Sequence, residues 1–172
     1  MSEAIRRFLN MFSNRILLFG ITDADLRLFT QGERLGLRRY VIAVTPRRLE
    51  FETLSLSTFE RFIEDATREL GEAPKDGDYM KFLETQPPGQ ARLLAEIRRD
   101  RTGAVFLQGV RLPPKGGFNE KPAYVLATTA LVQVRGKALN LQVYSSYDDA
   151  QDLEWIRFVT GRWIEDIQRL NR

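Results

Sequence analysis

The residues best equipped for chemistry lie together near the end of the chain, in Tyr144-Ser-Ser-Tyr-Asp-Asp149. Two phenols, two hydroxyls and two carboxylates fall between a strand-like and a helix-like stretch. Paired acids of this kind can exchange a proton with a substrate or hold Mg²⁺ through oxygen ligands, and Asp152 adds a third acid nearby. The same acids suit the start of a helix, where a short carboxylate accepts free backbone N–H groups and offsets the macrodipole. Capping is the stronger reading. It leaves Tyr144, Ser146, Tyr147 and Asp148 as a candidate binding surface, which Lys115 and Phe118 extend from the loop Pro113-Pro-Lys-Gly-Gly-Phe-Asn-Glu-Lys-Pro122.

Three other places invite a functional reading and support a simpler one. Gly116-Gly117 lacks the spacing of a phosphate-binding loop, and Lys115 precedes the glycines where such a loop needs a lysine after them. Asp76-Gly-Asp78 has two carboxylates at ligand spacing but no downstream glutamate to complete a calcium loop, so it reads as a turn. The pairs Arg38-Arg39, Arg47-Arg48 and Arg98-Arg99 could converge on an acidic partner or nucleic acid. No stacking motif accompanies them, so solvated surface is the better reading and nucleic acid is not the expected partner.

Absent residues restrict the chemistry further. The chain has no cysteine and no histidine. That excludes a disulfide, a thiolate nucleophile, a Ser-His or Cys-His couple and nearly every transition-metal centre. No catalytic, cofactor-binding or metal-ligating residue is assigned, and no cofactor is expected. Net charge is only +3, from 21 arginines and 5 lysines against 23 acids.

These residues must be positioned by a folded core, and composition allows one. The 172 residues are 43% hydrophobic and 28% charged, which suits one globular domain over 1–172. No apolar run approaches the roughly 20 residues of a membrane helix. Val132 and Val134 alternate with Gln133 and Arg135, and Leu139, Leu141 and Val143 with Asn140 and Gln142, the period of half-buried strands. A type II′ turn at Gly136-Lys137 would set Val134 opposite Leu139 and Val132 opposite Leu141. Asp148, with Gln151 three residues on, predicts the cap of a long helix. Its apolar stripe is Ile156, Val159, Trp163, Ile167 and Leu170, widened by Trp155 and Phe158, with both tryptophans expected in the core.

Upstream, Arg39–Thr45 reads as a buried strand ended by Pro46. Ser57-Thr-Phe-Glu60 predicts a capping box opening a helix that Gly71 closes. Small helices are expected over Tyr79–Thr85 and about Gln90–Arg99, then a strand from Gly103 to Leu112. Residues 2–12 form an amphipathic stretch, with 1–14 a candidate peripheral helix. The apolar run Ile16–Ile21 is a short strand, too short for the core of a signal peptide. The chain as given therefore points to the cytoplasm, with a periplasmic or exported location as the alternative.

The expected fold is α+β, an antiparallel sheet covered by helices in an α/β/α arrangement, ending in strand, turn, strand and long helix. The stretch Leu131-Val-Gln-Val-Arg-Gly-Lys-Ala-Leu-Asn-Leu-Gln-Val-Tyr144, with Asp152-Leu-Glu-Trp155 and Trp163, resembles the close of PsbP-like domains, a group that includes the Ran-binding Mog proteins. It is also similar to bacterial proteins of no assigned function, many of them exported. The resemblance implies an α/β/α sandwich acting as a non-catalytic accessory or partner-binding protein. An unidentified protein partner is the leading expectation. A carboxylate-dependent hydrolase or lyase using Asp148, Asp149 and Asp152, and a binder of anionic lipid or nucleic acid, are the alternatives.

Overall fold

Alternating apolar and polar residues become six strands, and their faces decide where every helix docks. The structure is a computed structural model that describes residues 13–114 and 122–171. The strands are β1 (Asn14–Ile21), β2 (Arg39–Pro46), β3 (Ala91–Asp100), β4 (Gly103–Arg111), β5 (Tyr124–Val134) and β6 (Lys137–Ser146). They form one antiparallel sheet in the order β1-β2-β6-β5-β4-β3. Four α-helices accompany them among the described residues: α1 (Asp23–Thr30), α2 (Leu56–Thr67), α3 (Tyr79–Glu84) and α4 (Ala150–Leu170). The fold is α+β, with helices on both faces of the sheet.

One face carries α4 and α3. Leu126, Ala130 and Val132 of β5 point to it, as do Leu141 and Val143 of β6, and Ile156 and Ile164 of α4 close over them. Leu83 of α3 packs beside them on Leu94 and Leu107. Gly109 permits that close approach, because a Cβ there would sit 2.7 Å from Leu83 Cδ1 and 2.9 Å from Leu94 Cδ1. The other face carries α2, whose Phe59 and Ile63 bury against Ala104, Phe106, Leu131 and Ala138.

Several expectations need correction. Residues 90–99 are not helical: Ala91–Asp100 is the edge strand β3. Two register shifts, between Leu93 and Ala95 and between Glu96 and Arg98, break its alternation and leave an apolar spacing that imitates a helix. Asp100-Arg-Thr-Gly103 then turns into β4, with Asp100 Oδ1 accepting from Thr102 N at 2.9 Å. The short helix α1 was not anticipated. Thr22 caps it by accepting from Asp25 N, and the Asp25 carboxylate accepts in return from the Thr22 hydroxyl. Helix α2 starts two residues before the expected box, with Ser55 as its cap. Asn14 belongs to β1 rather than to an N-terminal helix, and residues 1–12 lie outside the described residues.

The hairpin turn and the long helix are also displaced slightly. Val134 faces Lys137 and Val132 faces Leu139, so the loop is Arg135-Gly136. Both residues have positive φ, 48° and 77°, which defines a type I′ turn rather than type II′. The register moves by two residues, an even number, so every side chain keeps its expected face. Asp149, not Asp148, caps α4, accepting from Gln151 N at 2.8 Å. The buried line of α4 is Asp152, Ile156, Thr160 and Ile164. Trp155 and Trp163 are half-buried beside it, and Phe158 and Leu170 are exposed.

Candidate functional site

Helix α2 covers only part of its face of the sheet, and beyond it the sheet surface turns polar. Gln108 of β4, Thr129 of β5 and Asn140 and Gln142 of β6 share that face, with Thr129 directly opposite Gln142 across the strand pair. They line a cleft of about 670 Å³, within the range of small-molecule sites. Phe62, Ala66 and Leu70 form its apolar wall, while Ser13, Asn14, Pro46, Arg47 and Arg48 form the opposite rim. Arg47 is anchored there, its backbone N–H donating to Ser13 O at 2.9 Å.

The hydrogen bonds orient this polar lining. Gln108 Nε2 donates to Thr129 Oγ1 at 3.0 Å, leaving Gln108 Oε1 as an acceptor and the Thr129 hydroxyl proton as a donor. Tyr144 Oη donates to Gln142 Oε1 at 2.7 Å, which turns the Gln142 amide nitrogen away from the phenol as a donor. Asn140 Oδ1 is buried and has no hydrogen-bond partner among the described residues. A buried acceptor without a partner loses its hydration for nothing in return, about 1–3 kcal/mol. The Thr129 hydroxyl and the Gln142 amide nitrogen thus face the cleft as donors and Gln108 Oε1 as an acceptor, Arg47 and Arg48 stand at its rim, and no carboxylate lines it among the described residues.

An aromatic run leads to the same place. Tyr40 of β2 stacks on Tyr144 with centroids 4.5 Å apart, and Phe19 of β1 leans on Tyr40 at 6.0 Å. Burial pushes the Tyr40 hydroxyl up to about 12 and Tyr144 well above its ordinary value. Both phenols are therefore neutral hydrogen-bonding groups at any physiological pH.

The acids after β6 do not converge. Asp149 caps α4, and Asp148 forms an exposed ion pair with Arg38. Asp152 is 5% exposed and accepts from Arg39 Nη2 at 2.9 Å and from Asp148 N at 2.9 Å. Burial alone would raise its carboxyl, but the Asp148 N–H and the Arg39 guanidinium outweigh it and hold the group below its ordinary range. The Arg39 guanidinium also lies 4.5 Å from the Trp155 ring centroid. This is a clamp fastening α4 to β2.

The residues singled out from sequence fall in separate places. Tyr144 is 2% exposed and is linked to the cleft through Gln142. Tyr147 is buried on the opposite face with Leu83 and Ile156. Ser146 is half-buried, its N–H donating to Arg38 O at 2.8 Å, and Asp148 is exposed beside it. Lys115 and Phe118 lie outside the described residues. The arginine pairs are dispersed too: Arg38 and Arg39 bind acids at the start of α4, and Arg98 and Arg99 bind Asp100 and Glu96 at the far edge of the sheet. Arg47 and Arg48 reach the cleft. Among the described residues no group of three or more acids could hold a metal ion.

Sequence reasoning missed Gln108, Thr129, Asn140 and Gln142. Asn140 and Gln142 read as the watered side of a half-buried hairpin, which they would be at a sheet edge. Both flank the sheet's interior, and polar side chains there require partners. No family model matches the chain, and comparison with curated proteins and with solved structures finds no match either.

Proposed function

We propose that the chain is a non-catalytic binding domain whose ligand seats in the cleft between α2 and the β1–β2 rim. The observation that carries this reading is the oriented polar lining: Thr129 and Gln142 as donors and Gln108 as an acceptor, with Asn140 beside them, under the two arginines Arg47 and Arg48. Such a set favours a polar, hydroxyl- or amide-bearing group that ends in a carboxylate or phosphate, with an apolar portion against Phe62 and Leu70. The group is either a free metabolite-sized molecule or part of a partner protein, as the likeness to PsbP-like accessory domains would have it.

The enzyme alternative has less support. Asp148, Asp149 and Asp152 are engaged in an ion pair, a cap and a buried clamp, and none of them lines the cleft. The dispersal of the arginine pairs likewise gives little support to a lipid or nucleic-acid surface.

The test is an NMR titration of the full chain with inorganic phosphate, hydroxycarboxylates and an acidic peptide. Expected are shifts of the Gln108 and Gln142 side-chain amide signals that saturate, and loss of the Gln108 shift in Gln142→Leu. Binding that leaves those signals unmoved would remove the cleft from the reading. Turnover of any added compound would return the enzyme alternative to first place.

A further inference from the structure

The two edges of the sheet are built on opposite plans. At β3 the outer half is charged, with Glu96, Arg98, Arg99 and Asp100 exposed, and two bulges disturb its ladder. Charges and bulges are how proteins keep an edge strand from pairing with another chain. At β1 the sequence between Arg15 and Gly20 is Ile-Leu-Leu-Phe, and each of these four side chains is 40–49% exposed. A single bulge falls between Ile16 and Leu18. Leu26 and Phe29 of the adjoining α1 add 49% and 64% exposed side chains. The strand is therefore apolar on both sides of its plane, with a terminal position in the sheet.

From this we infer that β1 pairs antiparallel with β1 of a second copy, joining two sheets across a two-fold axis. Whatever pairs with this edge must present apolar side chains above and below the sheet at once, and β1 itself does so. Charge also favours the antiparallel arrangement. The start of β1 carries Arg15, ion-paired with Glu50, so Arg47 and Arg48 beside it are the surplus positive charge, while its end leads into Asp23 in the exposed first turn of α1. Antiparallel pairing lays the basic end of each copy against the acidic end of the other; parallel pairing would set like against like. A two-fold contact uses the edge once per chain and closes, giving a dimer rather than a filament.

Sedimentation equilibrium of the full chain tests this, with Leu17→Lys as the disrupting variant and Ile97→Lys on β3 as the matched change at the other edge. The expected result is a reversible dimer for the parent and Ile97→Lys, and loss of that dimer over the same concentrations for Leu17→Lys. Hydrogen exchange on the parent supplies a measurement independent of variant folding: β1 amides should become more protected as concentration rises, while β3 amides do not. A monomer at every concentration overturns the inference, as does a dimer that Leu17→Lys leaves intact. So does β1 protection that does not change across the concentrations over which sedimentation shows the dimer dissociating.

Discussion

Tyr144 Oη donates to Gln142 Oε1 at 2.7 Å, and this one bond links the most buried phenol of the sheet to the donor side of the cleft. Residues 142 and 144 of a strand project to the same face, so the phenol and the amide are neighbours by the pleat alone. Stacking on Tyr40 fixes the ring, and the fixed ring selects which end of the Gln142 amide faces the cleft.

Tyr144→Phe should therefore fold, lose about 0.5–1.5 kcal/mol in a urea titration, and release the Gln142 amide to rotate. The cleft would then weaken as a binding site with no lining residue changed. Unaltered affinity in that variant would show that the amide orientation is irrelevant. Tyr40 gives the same stack a pH signature. Its folded value is raised from 10.0 to about 12, so the neutral phenol is favoured by folding. That stability is complete below pH 10 and is lost between pH 10 and about 12, at up to roughly 1.4 kcal/mol per pH unit. Tyr40→Phe should flatten the alkaline limb of a stability–pH curve.

The acids at the start of α4 should separate sharply by burial. Asp148→Asn breaks an exposed pair and is expected to change stability by less than about 1 kcal/mol. Asp152→Asn strips a buried carboxylate from Arg39, whose side chain is 34% exposed and keeps some water. We expect a loss of roughly 1–3 kcal/mol, since hydrogen bonds to a charged group exceed neutral ones. The Asp152 carboxyl is lowered from 3.8 in the folded state, so its contribution is present above that value and disappears as pH falls through the lower folded value. Acid titrations of parent and Asp152→Asn should converge at low pH. Parallel curves would assign the clamp no electrostatic part.

Gly136 serves the hairpin in two ways at once. Its φ of 77° disfavours β-branched side chains, and a Cβ would lie 2.7 Å from Thr53 Cγ2. Gly136→Val should cost about 1–3 kcal/mol from the backbone alone, with the Thr53 clash added. Gly136→Asn tolerates the backbone but not the clash, so Thr53→Ala should rescue Gly136→Asn far better than it rescues Gly136→Val. Equal rescue in thermal melts would place the whole cost in the clash.

The hairpin and the long helix were legible because their signals are local: alternation, a glycine turn, an acid before an apolar stripe. Even there the turn slipped by one residue, because Arg135 accepts a positive φ that sequence gives no reason to assign to it. β3 was not legible. Ala, Leu, Glu and Arg favour helix, and only the partner strand β4 and the D-x-x-G turn at Asp100 make Ala91–Asp100 extended. The cleft was hidden for a related reason. Gln108, Thr129, Asn140 and Gln142 come from three strands, and strand order, which no local pattern encodes, brings them together. The acids of the Tyr144–Asp149 stretch were visible as a capping site, though the cap fell on Asp149.

Besides the Asp152 clamp, the α4–sheet interface holds a second buried polar contact that its apolar surroundings make testable. Thr128 of β5 and Thr160 of α4 are 0% and 2% exposed, and their hydroxyls are hydrogen-bonded. Thr160 Oγ1 donates to Ile156 O at 2.7 Å, so its proton is committed and the Thr128 hydroxyl must be the donor between them. Thr160→Val removes that acceptor and leaves the Thr128 proton buried without a partner, an expected loss of about 1–3 kcal/mol. Thr128→Val leaves Thr160 still bonded to its own helix, so it should cost less. The double valine variant removes both hydroxyls at nearly constant volume and should be more stable than Thr160→Val alone. A double-mutant cycle by urea unfolding checks this ordering. Additive losses would mean that the two hydroxyls contribute independently and that α4 is held at this point by packing alone.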